Sequence, residues 1–439
     1  MTNEEVFARV EQEGVEFIRL WFTDVLGQLK SFAVTTGELD NALNNGMGFD
    51  GSSITGFNAI EESDMVAWPD TSTFEILPYR PDSSVARMIC DIKTPDGDPY
   101  EGDPRYAMRR ALKRAEDMGF DHFYLGPELE FFAFQDDKGT EVLDHGGYFD
   151  LTTLDAASDL RRDMVQALES CGITIEYSHH EVGPSQHEID MRYADGLDMA
   201  DKVMTYRTIV KEIAHQHGVY ATFMPKPLHG ENGSGMHTHQ SLFRGDTNAF
   251  FDANDEYFLS TEGKSFIAGL LRHARELSCV FAQWVNSYKR LVPGYEAPVY
   301  VAWSRRNRSA LVRVPLYRPG VEAATRAELR CPDPACNPYL TFAGLLHAGL
   351  DGIENGYELE APMERNLYDL DAQEREEAGI ESLPETLGEA IAIGANSEFL
   401  KRALGDHIHK AYVELKQAEW DEYRQQVTPW ELDNYLAKL

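Results

Sequence analysis

No GxxxxGK[ST] loop and no GxGxxG turn occurs in the chain. If a nucleotide binds, its phosphates are therefore held by something other than a P-loop or a Rossmann cradle. Cysteine is scarce and unpaired: Cys90, Cys171, Cys279, Cys331 and Cys336 are an odd number without a CxxC pair, which excludes a disulfide frame or a zinc-ribbon site and reads as reduced thiols in a cytoplasmic protein. No apolar run approaches 18 residues, and Glu4, Glu5, Glu11 and Glu13 load the N-terminus with acid. Neither a membrane span nor a signal peptide is expected. Positive charge is the largest deficit. Net charge is −34, which argues against nucleic acid and anionic membranes as partners. Lys supplies 13 of the 40 basic residues, an acid-rich and Lys-poor surface that suits a high-salt milieu where screening removes self-repulsion.

What is present is a 439-residue chain with 43% apolar content, enough for a full core and about two domains. Three short segments carry polar chemistry at every second position: Glu128 and Glu130; His237, His239 and Ser241; Arg326, Glu328 and Arg330. In an extended strand these alternate positions share a face, with Leu129, Phe131, Leu242 or Leu329 behind. A solvated strand alternates too. Acids alone, then imidazoles, then an acid flanked by guanidiniums instead describe a sheet surface for divalent cations and a polyanion.

A boundary falls near residue 100. Before it, residues 14–22 alternate as a strand, Asp24 to Gly27 form a turn into a second strand, and Val85 to Ile92 form another. Asp103-Pro104 starts a helix through Arg109, Leu112 and Ala115. Helices follow near 155–171, 198–218 and 260–282, with a helical end from about 386; charged residues near 371–378 read as a solvated helix or loop. The expected domains are 1–100, small and β-rich, and 105–439.

Two more acids, Glu181 and Glu188, flank Gly183-Pro184, a turn that aims both at one point. Each acid alone is more often a surface or salt-bridged residue. Together, five carboxylates and His237 raise one another's pKa values unless cations neutralise them, and oxygen-rich sets with one imidazole suit Mg²⁺ or Mn²⁺. The run Ser304 to Arg313 supplies guanidiniums for forked anion contacts, and Asn232-Gly233-Ser234-Gly235 before His237 permits close backbone approach.

Four longer motifs resemble class I glutamine synthetase: Phe49-Asp50-Gly51-Ser52-Ser53-Ile54; Gly126-Pro127-Glu128-Leu129-Glu130-Phe131-Phe132; Lys226-Pro227 with Asn232 to His237; and Asn286 through Pro298. The resemblance covers nearly the whole chain. It implies an α+β fold, with an N-terminal β-grasp domain and a catalytic domain built on a curved antiparallel sheet, in a cytoplasmic homo-dodecamer of two hexameric rings. It also implies an ATP-dependent ligase joining L-glutamate and ammonium through γ-glutamyl phosphate, with a nitrogen-regulatory protein as a possible partner. A glutamate–amine ligase or a catalytically silent relative are the alternatives. Position by position, it assigns one metal to Glu130, Glu181 and Glu188 and another to Glu128, His237 and Glu328. Glutamate falls to Asn232, Gly233, Arg290 and Arg330, and ATP to Glu176, His239, Ser241, Arg308 and Arg313. The ammonium pocket falls to Asp50, Ser53, Tyr148 and Glu181, with Glu296 on a closing flap; Asp50 comes from a neighbouring subunit. Chain length resembles the alpha subtype, yet Ala59 stands where that subtype often carries an Arg tied to glutamine feedback, which predicts weak glutamine inhibition. Tyr368 sits where the beta subtype is adenylylated. The segment 316–324 is longer than in many relatives.

Overall fold

The computed structural model describes residues 1–57, 63–79, 84–307, 309–316 and 320–439. Ala59, Arg308 and Tyr317 to Pro319 lie outside the described residues, so the expectations placed on them are not addressed by it. The first sheet holds β1 (Phe17–Thr23), β2 (Leu29–Thr35), β3 (Met47–Asp50), β4 (Asp64–Ile76) and β5 (Val85–Lys93), in the order β2-β1-β5-β4-β3. The hairpin β1–β2 is antiparallel, while β1 runs parallel to β5. Alternation on β1 decides which core each side chain joins. Ile18, Leu20 and Phe22 enter the small cluster of this sheet, and Trp21 faces the other way into the main core. Covering both faces removes far more apolar surface than a half-solvated strand would, at about 25 cal/mol per Å². A helix over Asn3–Gln12 precedes the sheet, closed by a capping box of Thr2 and Glu5 that sequence periodicity did not single out.

The second sheet contains β6 (His122–Phe134), β7 (Ile175–His180), β8 (Gln186–Met191), β9 (Ala194–Asp195), β10 (Tyr220–Thr222), β11 (Met236–Arg244), β12 (Thr247–Asn248), β13 (Tyr300–Ser304), β14 (Ala310–Arg313) and β15 (Ala327–Leu329). Its path is β13-β14-β15-β11-β6-β8-β7, with β9 and β10 on β6 and β12 on β11. Pairing is antiparallel except between β13 and β14, which are parallel. The two acid and imidazole rows lie on β6 and β11; the third lies on only three strand residues, so Arg326 and Arg330 flank β15 rather than belong to it.

Helices Pro104–Asp117, Gly196–Gln216, Thr261–Phe281 and Pro338–Asn355 pack with this sheet and one another. The last was not anticipated, although Asn337 caps it and Pro338 opens it, a legible start signal. Between the sheets, Arg105 is buried and binds Asp70 (2.8 Å), Asp91 (2.6 Å) and Asp201 (2.8 Å). The β1–β2 turn is also tied down: Asn337 Nδ2 donates to Val25 O at 3.1 Å and Gln283 Nε2 to Leu26 O at 2.8 Å. No helix among the described residues is long and apolar enough to cross a membrane, and all five thiols are free and buried.

Candidate active site

Strand register assembles the site. Glu128 on β6 pairs with His237 on β11 and with Asp190 on β8; Glu130 pairs with Glu188; His239 pairs with Glu328, which pairs with Arg313. Because side chains alternate, this register puts four acids of β6 and β8 on one face as a two-by-two array, with imidazoles on one side and guanidiniums beyond. Leu129, Phe131, Leu242 and Leu329 fill the opposite face and are buried, so a one-residue slip would exchange core for charge. Glu181 and Glu188 stand on either side of the tight β7–β8 connection.

The hydrogen bonds fix protonation states. His239 Nδ1 accepts from Arg326 Nε at 3.1 Å, so its Nε2 carries the proton that reaches Glu128 Oε1 at 2.8 Å. His237 uses Nδ1 toward Glu128 Oε2 at 3.2 Å, which leaves Nε2 bare. Burial, and then Arg330, depress His237 to about 4, so it is a neutral donor of a lone pair. Burial opposes ionisation of Glu128, but the bonds from His237 and His239 prevail and hold it far below the usual carboxylate range. Glu328 is likewise lowered against its burial by Arg330; it binds both Arg330 and, at 2.7 Å, Arg313.

Among the described residues, Glu130, Glu188 and Asp190 form no ion pair with an Arg or Lys side chain. Burial and the Glu181 carboxylate push Glu130 up to about 8. Burial and Asp190 push Glu188 well up, and both carboxylate oxygens of Asp190 are buried without a hydrogen-bond partner. Buried like charges either hold protons or bind cations. Ligand atoms of Glu128, His239 and Glu328 lie within 4.8 Å of one another, as do those of His179, Glu188 and Asp190. An oxygen-rich donor set with imidazoles beside it fits hard divalent cations.

A cavity of about 730 Å³ opens over this face, lined by Glu128, Glu130, Tyr148, Glu181, Glu188, Asn232, Gly233, His237, His239, Arg290, Glu296, Arg313 and Arg330. A neighbouring one of about 380 Å³ is lined by Glu128, Glu176, Asp190, His239, Ser241 and Arg326. Apart from Asp50, Ser53 and Glu328, the predicted residues that the structure describes line these two adjoining spaces, which share Glu128, Tyr177, His239 and Arg326; Glu328 is buried and lines neither. Asn232 Nδ2 bonds Glu296 Oε2 at 3.2 Å, and Glu296 has φ 55°, a strained setting for a non-glycine residue. Buried Arg290 spends its donors on the carbonyls of Cys331 (2.8 Å), Pro332 (3.3 Å) and Arg330 (3.1 Å). Gly233 must lack a side chain, since a Cβ there would lie 2.4 Å from Pro225 O. Asp50 and Ser53 line neither cavity; they sit at the edge of the first sheet, where Asp50 Oδ1 accepts from Ser52 N and Oγ.

His179, Asp190 and Gln186 were not singled out from the sequence. Asp190 follows Glu188 at the same two-residue spacing that marks the other rows, so its signal is available in the sequence; His179 lies on β7, outside any such row. A larger cavity, about 950 Å³, lies elsewhere, between the β1–β2 turn, Arg207, Lys211 and Trp284, and carries none of the three rows.

The chain is similar to known proteins along nearly its whole length. The model of the glutamine synthetase β-grasp domain matches residues 14–95, and that of the glutamine synthetase catalytic domain matches 101–435. A curated glutamine synthetase of Methanosarcina mazei is 53% identical over 443 residues, covering 100% of this chain and 98% of that protein. One of Mycolicibacterium smegmatis is 52% identical, covering 99% of each. Among solved structures, a GmaS/ADP complex superposes with TM-score 0.89 at 32% identity, covering 98% of this chain and 99% of its own. A Plasmodium falciparum glutamine synthetase solved by cryo-electron microscopy gives 0.89 at 26%, covering 99% of each. With two domain models in order along nearly its whole length and relatives about half identical throughout, the chain belongs to the class I glutamine synthetase family.

Proposed function

We propose that this protein forms L-glutamine from L-glutamate, ammonium and ATP through γ-glutamyl phosphate. The observation that carries the reading is the register-locked face of acids and neutral imidazoles beneath two adjoining cavities. Glu130, Glu181 and Glu188 would hold one divalent cation, Mg²⁺ or Mn²⁺, and Glu128, His237 and Glu328 another. Bound there, such cations neutralise phosphate charge and polarise the transferring group. The bare Nε2 of His237 suits this role, and Asp190 and His179 add donors beside the first set.

Glu176, His239, Ser241 and Arg313 would face the nucleotide, and the resemblance adds Arg308 to this set. Asn232, Gly233, Arg290 and Arg330 hold glutamate; the buried Arg290 acts chiefly by pinning the backbone beside Arg330. The γ-carboxylate oxygen of glutamate attacks the γ-phosphorus of ATP and ADP leaves, with the arginines spreading the developing charge. Ammonium gives a proton to a carboxylate of its pocket, the resulting ammonia attacks the acyl carbon, and phosphate departs with one former carboxylate oxygen. Tyr148 and Glu181 receive ammonium, Glu296 closes over it, and Asp50 with Ser53 complete the pocket from a neighbouring copy. That Asp50 and Ser53 line neither cavity of their own chain supports a site shared between copies; the assembly expected from the resemblance is a cytoplasmic homo-dodecamer of two hexameric rings. Glutamate labelled with ¹⁸O in its γ-carboxylate tests the chemistry. Label should pass into inorganic phosphate with each glutamine made; phosphate free of label overturns the acyl-phosphate route.

A further inference from the structure

Gln186 opens β8 and is buried to 1% exposure. Its Oε1 accepts from Gly183 N at 3.0 Å, across the turn between β7 and β8. That bond fixes the amide's orientation, because only the oxygen end can accept it. The amide nitrogen is therefore aimed inward, where it donates to Glu130 Oε2 at 2.8 Å and to Gly233 O at 3.2 Å. Glu130 Oε2 also accepts from Gly235 N at 3.0 Å. Both hydrogen bonds recorded to this carboxylate fall on Oε2, so Oε1 is the atom left for a ligand in the cavity. Gln186 thereby joins three parts of the site: the turn carrying Glu181, the acid Glu130, and the carbonyl of the Asn232–Gly233 loop.

We propose that Gln186 is a positioning residue that aims Glu130 Oε1 at a divalent cation and couples that cation to the glutamate-binding loop. This rests on the function proposed above. The choice of side chain follows from the surroundings. A carboxylate here would face Glu130 without a proton to donate, adding charge beside an acid that burial and Glu181 already raise. A shorter amide could not span Gly183, Glu130 and Gly233 at once, and a histidine or lysine would compete with the cation for Glu130. The fit is tight on the far side as well: a Cβ on Gly183 would lie 2.7 Å from Gln186 Oε1 and 3.4 Å from Phe132 Cζ. Gly183 thus permits the amide to sit where it does. Partners that orient a metal ligand without touching the metal are worth about 10- to 100-fold in affinity.

The test titrates Mn²⁺ into the chelator-stripped full-length protein without nucleotide, reading free Mn²⁺ by electron paramagnetic resonance, for wild type, Gln186→Met and Gly183→Ala. Gln186→Met keeps the volume and removes the bonds. Gly183→Ala keeps the amide and displaces it, and stands in if the first variant does not fold. Each variant should weaken one class of Mn²⁺ site about 10- to 100-fold, raise the KM for glutamate and leave that for ATP within about twofold, at an unchanged melting temperature. Wild-type Mn²⁺ binding in both variants overturns the role of Gln186, as does a uniform weakening of every site that tracks a fall in melting temperature. A wild-type protein that binds no Mn²⁺ overturns the proposed function itself, and the inference with it.

Discussion

At the scale of single residues, the site is defined by which acids have cationic partners and which do not. Glu328 is buried yet ionised because Arg313 and Arg330 bind it, whereas Glu130 is buried against Glu181 and Glu188 and raised to about 8. Removing Glu130 relieves like-charge repulsion in the cluster but takes the acceptor from Gln186 Nε2 and Gly235 N, so the two effects on stability oppose each other. Glu130→Ala is therefore predicted to melt close to wild type at pH 8, while losing several kcal/mol of charge stabilisation in the transition state. At about 1.4 kcal/mol per tenfold, turnover should fall by roughly 100-fold or more. Calorimetry alongside a phosphate-release assay measures both; wild-type turnover in this variant would remove Glu130 from the metal set.

At the scale of elements, two contacts make separate predictions. Tyr368 is half-buried and its hydroxyl donates to Ala297 O at 2.7 Å, anchoring the chain just after Glu296. Tyr368→Phe deletes one hydrogen bond, worth about 1 kcal/mol, so the KM for ammonium should rise about fivefold with thermal stability preserved; an unchanged KM would show that this anchor does not set the flap. His347, on the helix Pro338–Asn355, accepts at Nδ1 from Arg114 Nη1 of the helix Pro104–Asp117 at 3.1 Å. Burial, and then Arg114, depress it to about 3. The unfolded chain thus binds a proton near pH 6.5 that the folded chain refuses until about 3, so stability is lost as pH falls through that window. His347→Leu should flatten the stability profile between about pH 4 and 6 in chemical denaturation; an unaltered slope would contradict the depressed imidazole. These elements also show what the sequence made legible. Strong period-2 rows located β6 and β11, because one face had to be apolar. Asp103-Pro104 marked a helix start, since its side chain and fixed φ satisfy the first turn. The helix Pro338–Asn355 escaped because it is apolar nearly all round and shows little amphipathic contrast, although its Asn-Pro cap was there to be read. Gln186 escaped because its role depends on three partners brought together only by the β7–β8 turn and the 232–235 loop.

At the scale of the whole molecule, the motifs identified the family, but pairing in the second sheet had to be seen to learn which donors meet. The resemblance groups His237 with Glu128 and Glu328; in the folded chain His237 and His239 both reach Glu128, at 3.2 and 2.8 Å, and His179 and Asp190 lie beside Glu188. Which imidazole keeps a lone pair follows from hydrogen bonds and not from spacing: His239 already accepts at Nδ1 from Arg326. The edge position of Asp50 predicts complementation between defective subunits. Co-refolding Asp50→Ala with Glu130→Ala chains should restore a fraction of the activity that neither homogeneous assembly has, and no recovery would argue against sites shared between copies. The net charge of −34 predicts that added KCl raises the melting temperature by screening self-repulsion. The most direct test of the central claim is the rate of ADP formation with glutamate and ATP when ammonium, methylamine, ethanolamine and putrescine are supplied in turn. In the ammonium pocket proposed for Tyr148, Glu181 and Glu296, ammonium should give the highest kcat/KM and putrescine the lowest. A clear preference for any of the three amines over ammonium would contradict the account.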